Sequence, residues 1–292
     1  MEKILITGHT LTLEELAAVC RDNAPVALAP EAKQRILESR QVVDMLVDEA
    51  AVVYGITTGF GKFSDVTITQ DECRQLQRNL IVTHAVGAGD PFPRDVARGI
   101  MLLRVNNLAK GFSGTRLELV ETLVAMLNRG VTPVIPQKGS LGASGDLAPL
   151  SHMVLPMLGL GQAEYEGEVL PGDVAMERAG IPTVELVAKE GLALINGTQA
   201  MTSVGALAVY DAIGLMKAAD IAAAMSFEAN RGVEDALDPR VHAVRPHDGQ
   251  MKTAANLRNL LFGSGNVTCQ GEIRVQDGYS LRCVPQVHRS EE

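Results

Sequence analysis

The stretch of sequence with the most unusual residue types runs from Gly139 to Leu150 and reads GSLGASGDLAPL. Its glycine spacing could suggest a phosphate-binding loop, but Asp146 follows the last glycine and its charge would repel a phosphate. A serine nucleophile on a tight turn needs the spacing G-x-S-x-G, whereas Ser144 is followed directly by Gly145. Two interpretations remain open: an ordinary glycine-rich loop and a backbone segment that modifies itself.

The self-modifying interpretation rests on the tripeptide Ala143-Ser144-Gly145. In this chemistry the backbone nitrogen of Gly145 attacks the carbonyl carbon of Ala143, and loss of water from Ser144 leaves an exocyclic methylene. The attacking residue must be glycine, because a Cβ atom would obstruct so close an approach. The methylene is an electrophile that no ordinary side chain provides. It could activate an amine or an aromatic ring of a substrate towards elimination.

Five segments of the chain, in the same order, resemble signature segments of the aromatic amino-acid ammonia-lyases. Those enzymes carry an electrophile of this kind, 4-methylidene-imidazol-5-one (MIO), which the resemblance places at Ala143, Ser144 and Gly145, with neither a metal nor a nucleotide as cofactor. The segments are YGITTGFG at 54–61, GSLGASGDLAPLSH at 139–152, LINGTQ at 194–199, RPHDGQ at 245–250 and QDGYSLRC at 276–283. The resemblance extends over nearly the whole chain.

The resemblance also implies roles for residues whose types alone would suggest something plainer. Tyr54 could be a core tyrosine, and the family implies that it removes a proton from the substrate β-carbon. Asn196 could be a turn residue, and the family implies that its amide contacts the prosthetic group. Arg282 could belong to a surface ion pair, but its planar guanidinium also suits the carboxylate of an amino-acid substrate. Gln276 and Tyr279 would join the same pocket, Tyr279 as a second acid/base or electrostatic group.

His84 bears on the identity of the substrate. A single histidine on a helix is usually structural. In the family this position helps to select the substrate ring, and a Ser/Thr-His pair such as Thr83-His84 resembles the histidine-specific branch, although the tyrosine-specific branch also uses histidine. Gly197-Thr198-Gln199 resembles the histidine branch as well. The expected reaction is therefore elimination of ammonia from L-histidine to give trans-urocanate. A phenylalanine or tyrosine ammonia-lyase, an aminomutase and a catalytically incomplete scaffold are the alternatives.

Composition argues against several other classes of function. The 292 residues are 46% hydrophobic and 21% charged, and the formal net charge of −9 disfavours nucleic acid as a partner. Four cysteines lie without C-x-x-C spacing, and no histidine or acidic pattern resembles a metal site. The sequence has neither a signal-like apolar stretch at its start nor an apolar run of about 20 residues that would span a membrane. These features predict a cytoplasmic protein.

The predicted architecture is mainly α, with a few short strands or hairpins, and the resemblance implies the multihelical ammonia-lyase (aspartase/fumarase-like) fold without its C-terminal half. Thr12 to Glu15 has the pattern of a capping box. A small hairpin is expected around Gly167. We expect a boundary that divides an N-terminal, loop-bearing region, 1–198, from the start of a central helical bundle, 199–292. Helices are predicted over 31–48, 69–82, 93–110, 115–129 and 199–230, with a further one ending at 258–262.

The resemblance ends at PQVH, residues 285–288, where family members continue into a long second half. That half completes the helical bundle and supplies further active-site residues. We therefore expect one part of a split or truncated enzyme, with a second chain as a possible partner and a homo-oligomer as in the tetrameric family. The apolar segment 199–230 supports a partner, because a helix that is apolar all round is expected to be buried.

Overall fold

A computed structural model describes residues 3–49, 51–53, 55–56, 58, 70–140 and 145–288 of the chain. The described residues are mainly helical, as the sequence predicts. The helices are α1 (Leu13–Arg21), α2 (Pro30–Asp48), α3 (Gln70–His84), α4 (Arg94–Leu108), α5 (Leu117–Arg129), α6 (Leu147–Val154), α7 (Gly172–Arg178), α8 (Glu190–Ile195), α9 (Gln199–Ala229), α10 (Pro239–Ala243), α11 (Asp248–Leu261), α12 (Tyr279–Arg282) and α13 (Val284–His288). Short 3₁₀ helices cover Leu155–Leu158 and Glu234–Leu237.

The strands among the described residues are short and form three small sheets. They are β1 (Ile4–Ile6), β2 (Val26–Leu28), β3 (Ala88–Pro91), β4 (Thr132–Pro133), β5 (Pro136–Lys138), β6 (Gln162–Tyr165) and β7 (Glu168–Pro171). β1 and β2 pair in parallel, β3 and β5 pair antiparallel, and β4, β6 and β7 form an antiparallel sheet in the order β4-β6-β7. The expected hairpin is confirmed: it joins β6 to β7 through Glu166 and Gly167, both of which have positive φ.

Local signals in the sequence account for several helix ends. Thr12 caps α1 by accepting a hydrogen bond from the backbone of Glu15, whose carboxylate accepts from the Thr12 backbone in return, so the predicted capping box is confirmed. Gly130 ends α5 in the left-handed conformation, with φ of 80°, which is favourable for glycine because it has no Cβ. The predicted helices over 69–82, 93–110 and 115–129 correspond to α3, α4 and α5, with ends shifted by one or two residues.

The chain divides into two compact units, Met1–Ala208 and Val209–Glu292. The first unit has an extensive core in which α4 is buried along most of its length. The main core residues of α4 are Ile100, Met101, Leu102, Val105 and Leu108, all of them 1% exposed or less. This burial matters for the site, because α4 also places two arginines inside the core.

The second unit has a smaller core, to which α9 contributes Phe227 and α11 contributes Leu257 and Leu261. Most of α9 is not covered, although this helix is continuous over 31 residues. Leu215 and Met225, for example, are 69% and 66% exposed. The described residues alone therefore leave this apolar segment largely uncovered, and its burial against a partner stays a prediction. No described helix is both long enough and apolar enough to cross a membrane.

The capping box offers a test of the fold at its N-terminal end. We expect Thr12→Ala to lower the free energy of unfolding by about 1 kcal/mol, because it removes the side-chain acceptor of the first turn of α1. Urea denaturation followed by circular dichroism measures the change. Thr10→Ala is the matched control, since Thr10 is exposed and its hydroxyl bonds to that of Thr7, so its effect should stay within about 0.5 kcal/mol. Equal losses in the two variants would contradict the capping role.

Candidate active site

The residues expected to form the electrophile lie at the edge of what the structure describes. Ala143 and Ser144 lie outside the described residues, as does Tyr54. Gly145, the residue whose nitrogen is expected to attack, is described. The chain that leads into the loop is described up to Ser140, and the chain that leaves it is described from Gly145 onwards. The geometry of these flanks therefore tests whether the surroundings suit the predicted chemistry.

Gly145 is packed against the backbone of Gly197 so closely that no other residue fits. The two residues form a parallel β-bridge, and the N–H of the next residue, Asp146, donates to the carbonyl of Gly197 at 2.8 Å. Gly145 has φ of 84°, and a Cβ atom built on it would lie 2.4 Å from the Gly197 oxygen. Both the backbone conformation and the contact therefore require glycine here. This close packing fits the role of the residue that must approach another backbone carbonyl.

The buried carboxylate of Asp146 also fixes this loop. The carboxylate of Asp146, which is 1% exposed, accepts from the hydroxyl of Ser140 at 2.6 Å and from the backbone N–H of Met201 at 3.0 Å. The Ser140 hydroxyl also lies 3.1 Å from the carbonyl oxygen of Gly145. Asp146 thus ties the loop to the first turn of α9, and its charge is satisfied by hydrogen bonds inside the core.

Asn196, which the family resemblance places at the prosthetic group, is held through its backbone. Its carbonyl accepts from the guanidinium of Arg104 at 2.8 Å, and a second nitrogen of Arg104 donates to the carbonyl of Ala193 at 3.2 Å. Asn196 follows α8, a helix of only six residues. At the other end of α8, the fully buried Glu190 accepts from the backbone and the guanidinium of Arg116 at 3.0 Å. Contacts at both ends therefore position this short helix.

His84 ends α3, and the segment that follows it is hydrogen-bonded to His152 beside the loop. The Nδ1 atom of His84 lies 2.8 Å from the carbonyl of Leu80, so Nδ1 carries the proton in the neutral ring and Nε2 is an acceptor. Three residues later the N–H of Gly87 donates to Nε2 of His152 at 3.0 Å, and His152 lies on α6, which directly follows the cyclising loop. Burial lowers the pKa of His152 below its ordinary value of 6.5.

The remaining expected site residues belong to the second unit. Gln276 and Arg282 line the same cavity, together with Val233, Ala236 and Val241. The Arg282 guanidinium lies over the ring of Tyr279, 4.4 Å from its centroid, and its buried Nε has no hydrogen-bond partner among the described residues. A cation with an unused donor suits an anionic group of a ligand. Tyr279 itself is 72% exposed.

Asp277 fixes the segment that carries Gln276, Tyr279 and Arg282. Its carboxylate, 5% exposed, accepts from the backbone N–H of Val233 at 2.6 Å and from Nε of Arg274 at 2.5 Å. The residue lies between Gln276 and Tyr279 in the sequence, so these bonds limit where both can lie. Within the described ranges, no group of three or more His, Cys, Asp or Glu side chains could hold a metal ion.

The sequence profile of aromatic amino acid lyases matches residues 11–290.

The chain belongs to the aromatic amino acid lyase family.

A histidine ammonia-lyase of Clostridium tetani is 60% identical over 288 residues, which are 99% of this chain and 56% of that protein. The solved histidine ammonia-lyase from Trypanosoma cruzi superposes with a TM-score of 0.87 and 39% identity, over 99% of this chain and 53% of that one. A tyrosine aminomutase from Streptomyces globisporus matches with a TM-score of 0.90 and 36% identity, over 99% and 58% of the two chains. The chain thus spans just over half the length of these relatives.

Three buried charged residues near the expected site residues of their own units have no assigned role in the sequence interpretation: Arg104 and Asp146 in the first unit and Asp277 in the second. A partial signal exists for the first two. Arg104 interrupts the apolar run of α4, where an unpaired charge would be costly, and this predicts a buried partner. Asp146 follows the cyclising glycine directly. No pattern in the sequence identifies the carbonyls of Ala193 and Asn196 as the acceptors, because they come from a distant helix.

Burial of His152, whose Nε2 accepts a hydrogen bond from Gly87, should make the free energy of unfolding depend on pH. The folded-state pKa of His152 lies below the unfolded value of 6.5, so its contribution is complete above that value and is lost as the pH falls through the folded pKa. We expect the urea midpoint to drop between about pH 7.5 and about pH 5.5. His152→Gln, which retains an acceptor that does not titrate, should show a smaller drop.

Part of the pH dependence should survive in that variant, because burial also lowers the pKa of His242, which is hydrogen-bonded to Gln250. His242→Gln is the matched comparison, because it should remove that second part of the drop and leave the part that belongs to His152. A wild-type-sized drop in His152→Gln would count against the assigned role.

Proposed function

We propose that this chain provides the electrophile and part of the substrate pocket of a carbon–nitrogen lyase that converts L-histidine into trans-urocanate and ammonia. The observation that carries the proposal is the packing of Gly145 against Gly197, which leaves no space for a Cβ. The choice of substrate rests on relatives such as the histidine ammonia-lyase of Clostridium tetani. It also rests on the Thr83-His84 pair.

The prosthetic group in this proposal is MIO, formed from Ala143, Ser144 and Gly145. The nitrogen of Gly145 bonds to the carbonyl carbon of Ala143, and that oxygen leaves as water with the amide protons of Gly145 and Ser144. Ser144 then loses its Cα proton and its hydroxyl as a second water. The described surroundings fit this product, because Gly145 is required by sterics and its neighbour Asp146 is fixed by Ser140.

In the reaction, the MIO group supplies an electrophilic carbon that withdraws electrons from the amine or the ring of the substrate. Arg282 binds the substrate carboxylate, for which its buried and unpaired Nε is a free donor within the described structure. Tyr54 removes the proton from the β-carbon, and the amino group leaves as ammonia. Asn196 contacts the prosthetic group, while His84 and Gln276 bind the substrate and Tyr279 acts as the second acid/base group.

We further propose that the exposed apolar surface of α9 is covered in the active assembly by a polypeptide that supplies the rest of the lyase. Met225 and Leu215 are more than half exposed, and apolar surface of this extent normally marks an interface. The relatives, of which this chain spans 53–58%, have further sequence that can provide such a cover. The proposed assembly is a homo-oligomer, as in the tetrameric members of the family. A purified chain that is monomeric and binds no hydrophobic dye would remove the basis for this partner.

Intact-mass measurement tests the formation of the electrophile. We expect the purified chain to lack the mass of two water molecules, and peptide mapping should locate the loss between Gly139 and Leu150. Gly145→Ala should retain the full mass, because the added Cβ would collide with the Gly197 oxygen 2.4 Å away. Ser151→Ala is the matched control: Ser151 lies on the next helix, its hydroxyl has no partner among the described residues, and the mass loss should persist. A wild-type chain of unmodified mass would refute the electrophile.

Steady-state kinetics test the role of Arg282 once the chain is combined with the rest of the lyase. We expect Arg282→Lys to raise KM for L-histidine by about tenfold or more, since a hydrogen bond between charged groups contributes about 1.5–3 kcal/mol. Arg240→Lys is the control, because Arg240 has a 90% exposed side chain and pairs with Asp238. If Arg282→Lys and Arg240→Lys have the same KM, the carboxylate is bound elsewhere. Comparing L-histidine with L-tyrosine and L-phenylalanine in the same assay identifies the substrate.

A further inference from the structure

Two arginines on α4 are buried to the same extent but donate hydrogen bonds to different parts of the fold. Arg98 is 0% exposed and Arg104 is 1% exposed, and burial lowers the pKa of each to about 10. Arg98 donates to the carbonyls of Val19 and Leu127, which belong to helices of the core. Its contacts therefore hold α1 and α5 against α4, away from the residues of the candidate site.

Arg104 instead donates to the turn that carries Asn196 and Gly197. One terminal nitrogen bonds to the Asn196 carbonyl at 2.8 Å, and the other lies 3.2 Å from both the Ala193 carbonyl and the side chain of Asn107. A Cβ on Gly197 would lie 2.5 Å from this guanidinium. The cation is therefore in direct contact with the backbone of the turn, and the turn has no space to shift towards α4.

The opposite side of the same turn contacts the cyclising loop. The Gly197 carbonyl accepts from the N–H of Asp146 and lies against Gly145. The carboxylate of Asp146 is the charged group that favours the charged form of Arg104. A buried cation and a buried anion thus lie on either side of one turn, and each is hydrogen-bonded to backbone on that turn or next to it.

We propose that Arg104 is a positioning residue for the cyclisation of the loop, because it fixes the turn at Asn196 and Gly197 against which Gly145 is held. This inference rests on the proposed function, since it concerns the residue whose nitrogen attacks. Arginine suits the position because its planar guanidinium can donate to two carbonyls in fixed directions, which a lysine ammonium cannot do with the same geometry. A misplacement on the order of 1 Å between reacting groups can slow a reaction about 100-fold.

The experiment compares Arg104→Lys, Arg104→Met and Arg98→Lys in the full chain, produced under one condition. Intact mass gives the fraction of each sample that has lost two waters, and thermal denaturation gives its stability. We expect Arg98→Lys to be destabilised but cyclised like the wild type. Arg104→Lys should show roughly tenfold less cyclised chain, and Arg104→Met less still, because it loses the charge and all the hydrogen bonds. This order separates positioning from stability, since a merely structural role would affect the two lysine variants alike.

Equal cyclisation in Arg104→Lys and Arg98→Lys, whether both complete or both reduced, would overturn the inference. If the Arg104 variants do not fold, Asn107→Ala replaces them, because it removes one acceptor of Arg104 and keeps the cation; a cyclised fraction below that of Arg98→Lys supports the role, and an equal fraction overturns it. A wild-type chain that retains both waters contradicts the proposed function itself. That outcome is recognised without any substitution and is thereby distinguished from failure of the Arg104 role alone.

Discussion

The carbonyl of Gly197 accepts a hydrogen bond from the N–H of Asp146, and the described part of the candidate site depends on this contact. It joins the loop before α6 to the turn between α8 and α9, which are far apart in sequence. The contact requires glycine at position 145, where φ is 84° and a Cβ would lie 2.4 Å from the Gly197 carbonyl oxygen. The loop at Gly145 and the turn at Gly197 thereby come so close that the position of each limits the position of the other.

Buried charges maintain this approach. Taking Arg104 and Asp146 out of water is unfavourable, and the cost is offset only where each has hydrogen-bond partners in fixed positions. The partners are mostly backbone groups: carbonyls of Ala193 and Asn196 for the cation, and the Met201 N–H for the anion. A buried charge with such partners favours a single arrangement, because moving the turn would leave the charge without them. These bonds fix the positions of the short helix α8 and of the loop before α6.

In the second unit a buried, hydrogen-bonded carboxylate again fixes a segment that carries expected site residues. Asp277 is buried and bonded to Val233 and Arg274, while Tyr279, two residues later, is largely exposed and has the Arg282 guanidinium over its ring. One residue of the segment is therefore fixed by the core of the unit, and the others remain available to a ligand. The same unit leaves much of α9 exposed, which is consistent with a chain that spans just over half the length of its relatives.

The sequence by itself determined the helical class, the positions of most helices, the capping box at Thr12 and the family, because these depend on local periodicity, on caps and on the order of short motifs. It also singled out Gly145 and Asn196. Only the tertiary structure decided that Arg104 and Asp146 hold the turn between them, and that the apolar surface of α9 is uncovered in the described chain. The reason is physical: local signals act through neighbours in the sequence, whereas a buried charge is satisfied by whichever distant backbone groups the fold brings to it.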